Sequence, residues 1–193
     1  MKSLILSIIL AYLAGAINFS ILLFKMLGKD DPRNAFSGNP GVVNVYRQAG
    51  LFMAVVVLLL DIGRALAVAF IALRLLPLAL VPWAGLGLIL GNRFPCFHGL
   101  HGGKGVANYF GFTAIISPVA AGLSALGWLL TYAIGRTPFI GSFVMVFILA
   151  AGTIAACEYS LSVIAGVAAT AGLIYYNHKS NVLGLLRQRG GKE

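Results

Sequence analysis

Charge is scarce in this sequence, and negative charge scarcest. Only 10% of its 193 residues are charged, with 5 Asp and Glu against 14 Lys and Arg, while 60% are apolar. With a mean hydropathy of +0.94, that composition lies outside the range of water-soluble domains. No segment is polar enough to form a soluble domain of its own, so the expectation is a single transmembrane domain over 1–193. Cysteine is nearly absent. Cys96 and Cys157 fall on opposite membrane faces in the topology below, which excludes a disulfide, and their spacing fits no metal motif. His98 and His101 have no carboxylate or cysteine at ligand spacing, so no metal is expected, and no cofactor is called for. The net charge of +9 could suggest nucleic acid, but the basic residues are scattered singly between apolar runs and form no stripe.

What remains is a series of apolar runs. The first, about Ser3 to Phe24, can cross a bilayer of roughly 30 Å. It reads as a retained span and not a cleaved signal, because it continues to Phe24 without a polar break. A polar segment, Lys25 to Gly50, follows. The second span, about Leu51 to Leu73, carries Asp61 and Arg64. A third, about Leu78 to Gly91, contains Gly87-x-x-x-Gly91, whose small residues admit a close neighbouring helix. After a loop, Asn92 to Gly105, the run Val106 to Ile134 is too long for one ordinary span and is divided at Pro118, which cannot continue a helix. The piece before Pro118 is short for a full crossing. Runs over Phe139 to Ala156 and Leu161 to Tyr176 precede a basic tail, Asn177 to Glu193.

Charge supplies an independent test of this division. With about seven crossings and the N-terminus outside, Lys25, Lys29, Arg33, Arg47, Arg93, Lys104, Arg136, Lys179, Arg187, Arg189 and Lys192 all face the cytoplasm, leaving Lys2 and Arg74 outside. Treating Val106 to Ile134 as one crossing moves Arg136 and the tail outside, against the positive-inside bias. The fold expected is therefore an all-α polytopic bundle of about seven transmembrane helices, some short or broken, with a cytoplasmic C-terminus.

Four polar clusters then share the cytoplasmic face. Phe97 to Tyr109 is glycine-rich, with Gly102, Gly103 and Gly105 around Lys104. Glycines free the backbone to turn its N–H groups onto phosphate oxygens, and a helix starting at Val106 would aim its positive dipole end at the same spot. It is not the nucleotide P-loop, whose glycine spacing and Ser/Thr after the lysine are missing. Ser37-Gly38-Asn39-Pro40-Gly41, with Asn44 and Arg47, offers turn formers, small hydrogen-bonding groups and a guanidinium fork suited to phosphate. Arg136 to Ser142 and His178 to Asn181 complete the set. Asp61 and Arg64, three apart on a helix, can pair, and in hydrocarbon they face a cavity or the bundle interior, either tying helices together or touching substrate.

These clusters, in this order, resemble the bacterial PlsY family, the membrane acyl-phosphate:glycerol-3-phosphate acyltransferases. The residues carrying the resemblance are Ser37 to Gly41 with Asn44 and Arg47, Leu90-Gly91 through Phe94-Pro95 into Gly102 to Ala107, and His178 with Asn181. Departures stand beside them. The family's Ala-Thr-Asn is Val42-Val43-Asn44, its Asp-x-x-Lys-Gly is Asp61-Ile62-Gly63-Arg64-Ala65, and a serine is replaced at Phe139. His101, Asn108 and Gly184 differ as well.

The resemblance implies a multi-pass protein of the bacterial inner membrane, active on its cytoplasmic side. It implies transfer of a fatty acyl group from acyl phosphate to the sn-1 hydroxyl of glycerol 3-phosphate, giving lysophosphatidic acid and phosphate, the first acylation of phospholipid synthesis. The bilayer is the remaining partner, and no oligomeric state is specified. The donor is an activated anhydride, so positioning and charge stabilisation can carry catalysis without a serine or cysteine nucleophile. The catalytic candidates are Lys104, Arg47, His178 and Ser37. Candidate substrate contacts are Gly38, Asn39, Gly41, Asn44, Gly102, Gly103, Gly105, Asp61, Arg64, Ser142 and Asn181. The departures leave open a non-catalytic or substrate-shifted relative, and the cationic loops alone would also suit a transporter of a small anionic solute.

Overall fold

The structure is a computed structural model that describes residues 2–190, all of its regular structure helical. The first apolar run is not continuous, as expected from sequence, but two helices, α1 (Lys2–Ala16) and α2 (Phe19–Met26). Asn18 is the polar break. Its side chain accepts from Ile21 N at 3.2 Å and caps α2, the local bonding by which asparagine competes with a continuing helix. Together the two pieces form one 25-residue apolar segment.

The next helix, α3 (Val42–Leu75), begins earlier than expected and is kinked where Gly50 takes φ +78°, a conformation open to glycine. Asn44 and Arg47 therefore ride a short helical piece ahead of the second span, not a loop. A single 3-10 turn, Leu78–Leu80, leads into α4 (Val81–Arg93), so Asn92 and Arg93 are also helical and not part of the following loop. The division at Pro118 holds: α5 (Val106–Ile116) stops before it, and Pro118 opens α6 (Pro118–Gly135) in the first turn, where its missing N–H is harmless. Then follow α7 (Pro138–Ala156), α8 (Leu161–Tyr176) and α9 (Lys179–Gly190), the last formed by the expected basic tail. Met1, Lys192 and Glu193 lie outside the described residues.

The apolar segments run alternately between two ends. At one end Leu76 and Val81 pack with Leu4, Leu80 and Ile116, and Cys157 and Val163 pack with Ala79, Ile116 and Ile154. The starts of α1, α4 and α8 meet the finishes of α3, α5 and α7 there. The other end holds the polar clusters. Four segments are long and apolar enough to cross a membrane by themselves: Lys2–Met26, Val42–Leu75, Pro118–Gly135 and Pro138–Ala156. The helices α4, α5 and α8 are shorter.

Close packing between α1 and α4 rests on the Gly87-x-x-x-Gly91 pair. A Cβ at Gly87 would lie 2.7 Å from the Ile8 carbonyl oxygen, and one at Gly91 would collide with the Tyr12 carbonyl. Absent side chains let the two backbones touch. On α6, by contrast, Val119, Leu123, Leu126, Leu130 and Ile134 form an exposed stripe at helical spacing. Such a face is stable only against lipid.

Candidate active site

At the polar end a cavity of about 500 Å³ opens between α3, α5, α6 and α7. Its mouth collects three helix N-termini: Gly41 to Val43 of α3, Gly105 to Ala107 of α5, and Pro138 with Phe139 of α7. A helix N-terminus carries a positive dipole end, and backbone N–H groups without intrahelical partners wherever, unlike at Pro138, the residue has one, so three together make an environment for anions. Lys104, Arg47, Ser37, Asn39, Asn44, Asp61, Gly103, Ser142, His178 and Asn181 line the same space. Four segments distant in sequence thus meet at one site. Gly38, Gly102 and Arg64 are not in the lining.

Two loops form the mouth, and Arg33 holds them together. Its guanidinium pairs with Asp31 at 2.6 Å and donates to the carbonyls of His98 (2.6 Å) and His101 (3.0 Å). The backbone of the glycine-rich loop is tied to the first polar segment in this way, while the imidazoles of His98 and His101 stay outside the cavity lining. No group of three or more potential metal ligands occurs among the described residues. Asn44 is a strut more than a free ligand. Its amide donates to the carbonyls of Pro32 (2.8 Å) and Ala35 (3.3 Å) and accepts from Ser37 N at 3.4 Å.

The glycine cradle differs from the sequence expectation. The N–H groups of Gly102 and Gly103 do not face an anion, since they donate to the carbonyls of Arg93 (3.1 Å) and Asn92 (2.9 Å). These two glycines serve close packing, because a Cβ at Gly103 would sit 2.9 Å from the Asn92 amide nitrogen and one at Gly102 would strike the Asn92 carbonyl. Gly105 takes φ +93° and makes the turn into α5. The N–H groups of Lys104, Gly105 and the first turn of α5 have no protein partner among the described residues; these are the ones free to bind.

Lys104 Nζ donates to Asn181 Oδ1 of α9. Burial, reinforced by the nearby charges of Arg93 and Arg47, brings the Lys104 ammonium down to about 8. His178 is 3% exposed. Its Nδ1 lies 2.8 Å from the Ile174 carbonyl, which can only accept, so Nδ1 carries the proton and Nε2 is an acceptor. Burial, with Lys104 close by, lowers this imidazole to about 4 despite that hydrogen bond. It is neutral at physiological pH.

For Asp61 and Arg64, the structure favours helix-tying for the arginine. Arg64 pairs with Asp61 at 2.7 Å, donates to Asn108 Oδ1 at 2.6 Å, and donates to the carbonyls of Ala14, Gly15 and Ile17 at the end of α1. Only Asp61 reaches the cavity. Sequence reasoning did not mark Asn92, Asn108 or Arg33 as site residues. The signal for the two asparagines was present, since a buried amide next to apolar helix needs partners. Below the polar mouth the lining turns apolar, with Leu58 and Ile62 of α3, Phe110 of α5, Ala125, Trp128 and Leu129 of α6, and Met145 of α7.

Known proteins share this sequence and this fold. The family model described as glycerol-3-phosphate acyltransferase matches residues 5–188. The glycerol-3-phosphate acyltransferase of Pseudomonas paraeruginosa is 40% identical over 138 residues, 70% of this chain and 72% of that one. That of Methylobacillus flagellatus is 39% identical over 130 residues, covering 67% and 66%. Two crystal structures of PlsY (YgiH), an integral membrane glycerol 3-phosphate acyltransferase, superimpose closely. The glycerol 3-phosphate form gives a TM-score of 0.88 at 32% identity over 97% of this chain and 94% of that one. The lysophosphatidic acid form gives 0.86 at 31%, over 97% and 93%. On the strength of the matched length, the identity and the shared structure, this chain belongs to the glycerol-3-phosphate acyltransferase family of integral membrane acyltransferases.

Proposed function

We propose that this protein transfers a fatty acyl group from acyl phosphate to the sn-1 hydroxyl of glycerol 3-phosphate. The observation that carries the reading is the continuity of one cavity from a cationic mouth rich in N–H donors to an apolar arm. Both substrates bring a phosphate to the mouth, and the donor also brings an acyl chain. Leu129 lines the cavity and is nonetheless 58% exposed, so the arm opens towards the lipid side of α6. A chain longer than the arm can lie in the bilayer, and the lipid product leaves by the same route.

Lys104, with the free N–H groups at the start of α5, holds one phosphate, and Arg47 with Ser37 and Asn39 holds the other. The hydroxyl oxygen attacks the acyl carbon, forming the ester C–O bond while the anhydride C–O bond to phosphate breaks. His178 Nε2 orients the hydroxyl by accepting its hydrogen bond. With an imidazole near 4 it is a poor final proton acceptor, and the departing phosphate, which gains a new and far more basic oxyanion as the anhydride C–O bond breaks, takes the hydroxyl proton and leaves as hydrogen phosphate. Its bacterial relatives support an inner-membrane location, and the charge distribution of the sequence supports a cavity mouth in the cytoplasm with the N-terminus outside.

The test is direct. Purified protein in detergent or nanodiscs, given acyl phosphate and glycerol 3-phosphate, is expected to release phosphate and form lysophosphatidic acid in equal amounts. Release of phosphate without lysophosphatidic acid, or neither product from folded protein, overturns the reading.

A further inference from the structure

Asn92, Asn108 and Arg64 form a buried line of amides and guanidinium that ends at the cavity. Arg64 caps the carbonyls closing α1 and donates to Asn108 Oδ1 at 2.6 Å; Asn108 Nδ2 donates to Asn92 Oδ1 at 3.1 Å. Asn92 and Asn108 are 4% and 2% exposed, so their bonds are made in a low-dielectric interior where an unmatched partner is costly. The direction of the line is fixed from its start. A guanidinium only donates, so Asn108 must turn its oxygen to Arg64 and its nitrogen to Asn92. Asn92 must then turn its oxygen to Asn108. Its nitrogen is left on the opposite side, against Gly103, with no protein partner among the described residues, on a residue that lines the cavity beside Lys104.

We propose that Asn92 is a substrate-binding donor whose Nδ2 hydrogen-bonds an anionic oxygen of the phosphate held by Lys104, with Arg64 and Asn108 as positioning residues that set its polarity. This rests on reading the cavity as a phosphate site. Arg64 contributes without reaching the cavity, because it decides which end of two successive amides faces substrate. The same line sets what position 108 must supply, a group that accepts from the guanidinium and donates to Asn92, two functions that a threonine hydroxyl also has.

The experiment compares wild type with Asn92→Asp, Asn108→Asp and Asn108→Thr in the full-length protein in nanodiscs, reading calorimetric affinity for inorganic phosphate alongside kcat/KM for acyl transfer. Asn108→Asp keeps the bond to Arg64 but can no longer donate, so the Asn92 amide turns over and presents its oxygen to the cavity. Both aspartate variants are expected to bind phosphate about 10- to 100-fold more weakly, the scale for losing a hydrogen bond to a charged group, while Asn108→Thr stays within about 3-fold of wild type. Phosphate affinity and kcat/KM unchanged in both aspartate variants overturn the proposal. If Asn108→Asp does not fold, the isosteric Asn92→Asp decides by the same criterion. A wild type that binds phosphate in this Asn92-dependent way yet transfers no acyl group supports the donor and overturns the reaction instead.

Discussion

Lys104 Nζ and Asn181 Oδ1 join the loop before α5 to the first turn of α9, so among the described residues a neutral oxygen, not a carboxylate, is the lysine's protein partner. The charge is left for substrate. Lys104→Ala is expected to lower kcat/KM by about 10²- to 10³-fold, the usual scale for removing a charge-stabilising donor. Because the free lysine titrates at about 8, it is cationic below that pH and loses its charge as pH rises through it. Phosphate esters reach their dianion above about 6. The kcat/KM profile is therefore expected to peak between these values, with an alkaline limb that moves up in Lys104→Arg. A profile flat to pH 10 would remove Lys104 from the binding step.

Arg33 is the bridge between the two loops of the mouth, with its hydrogen bonds to the His98 and His101 carbonyls and its pair with Asp31. Replacing it with alanine leaves the cavity residues in place but unties the cradle. An increase in KM of about 5- to 20-fold with little change in thermal stability is expected, because the bonds lie at a part-exposed surface. Lysine restores charge without the fork that spans two carbonyls, so Arg33→Lys should recover little. Steady-state kinetics with both variants decide the point.

The bundle was legible in the sequence where physics acts locally. Proline at 118 ended one helix and opened the next, the Gly87 and Gly91 pair marked a close helix contact, and singly placed cations gave the alternation of segments. The cavity clusters were legible as a set because positive charge gathers on one face. What sequence could not give was the partner of each polar group. Gly102 and Gly103 look like phosphate ligands until their N–H groups are seen bonded to Arg93 and Asn92. Asn44 looks like a ligand until it is seen supporting Pro32 and Ala35. Arg64 and Asn108 are 44 residues apart, and only folding shows that their departures from the family pattern meet each other.

Gly91 is expected to be among the least replaceable residues for folding. Its missing Cβ leaves room for the Tyr12 carbonyl, and backbone cannot move aside as a flexible side chain can. Gly91→Ala should cost more than the roughly 1–3 kcal/mol typical of overpacking, seen as loss of monodisperse protein on size exclusion and a lower Tm. Gly63 on α3 is the matched control, since a Cβ there meets nothing within 4 Å. Gly63→Ala should be neutral or raise stability by about 0.5–1 kcal/mol through helix propensity.

His178 gives a prediction of opposite sign in catalysis and stability. As a neutral acceptor with its Nδ1 proton committed to Ile174, it should add no limb near 6.5 to the activity profile. His178→Gln, which retains an acceptor in altered geometry, is expected to lose about 10- to 100-fold in kcat with KM changed far less. Stability follows from linkage. The folded imidazole titrates at about 4 and the unfolded one near 6.5, so between these values the unfolded chain binds more protons and stability falls as pH is lowered. The part of the acid sensitivity between pH 6.5 and 4 that belongs to His178 should vanish in His178→Gln. Tm measured at pH 7.5, 6 and 4.5 for the two proteins checks it. Parallel declines would show that the imidazole takes up its proton in the folded state as readily as in the unfolded one, and would reopen the case for His178 as the base that accepts the hydroxyl proton.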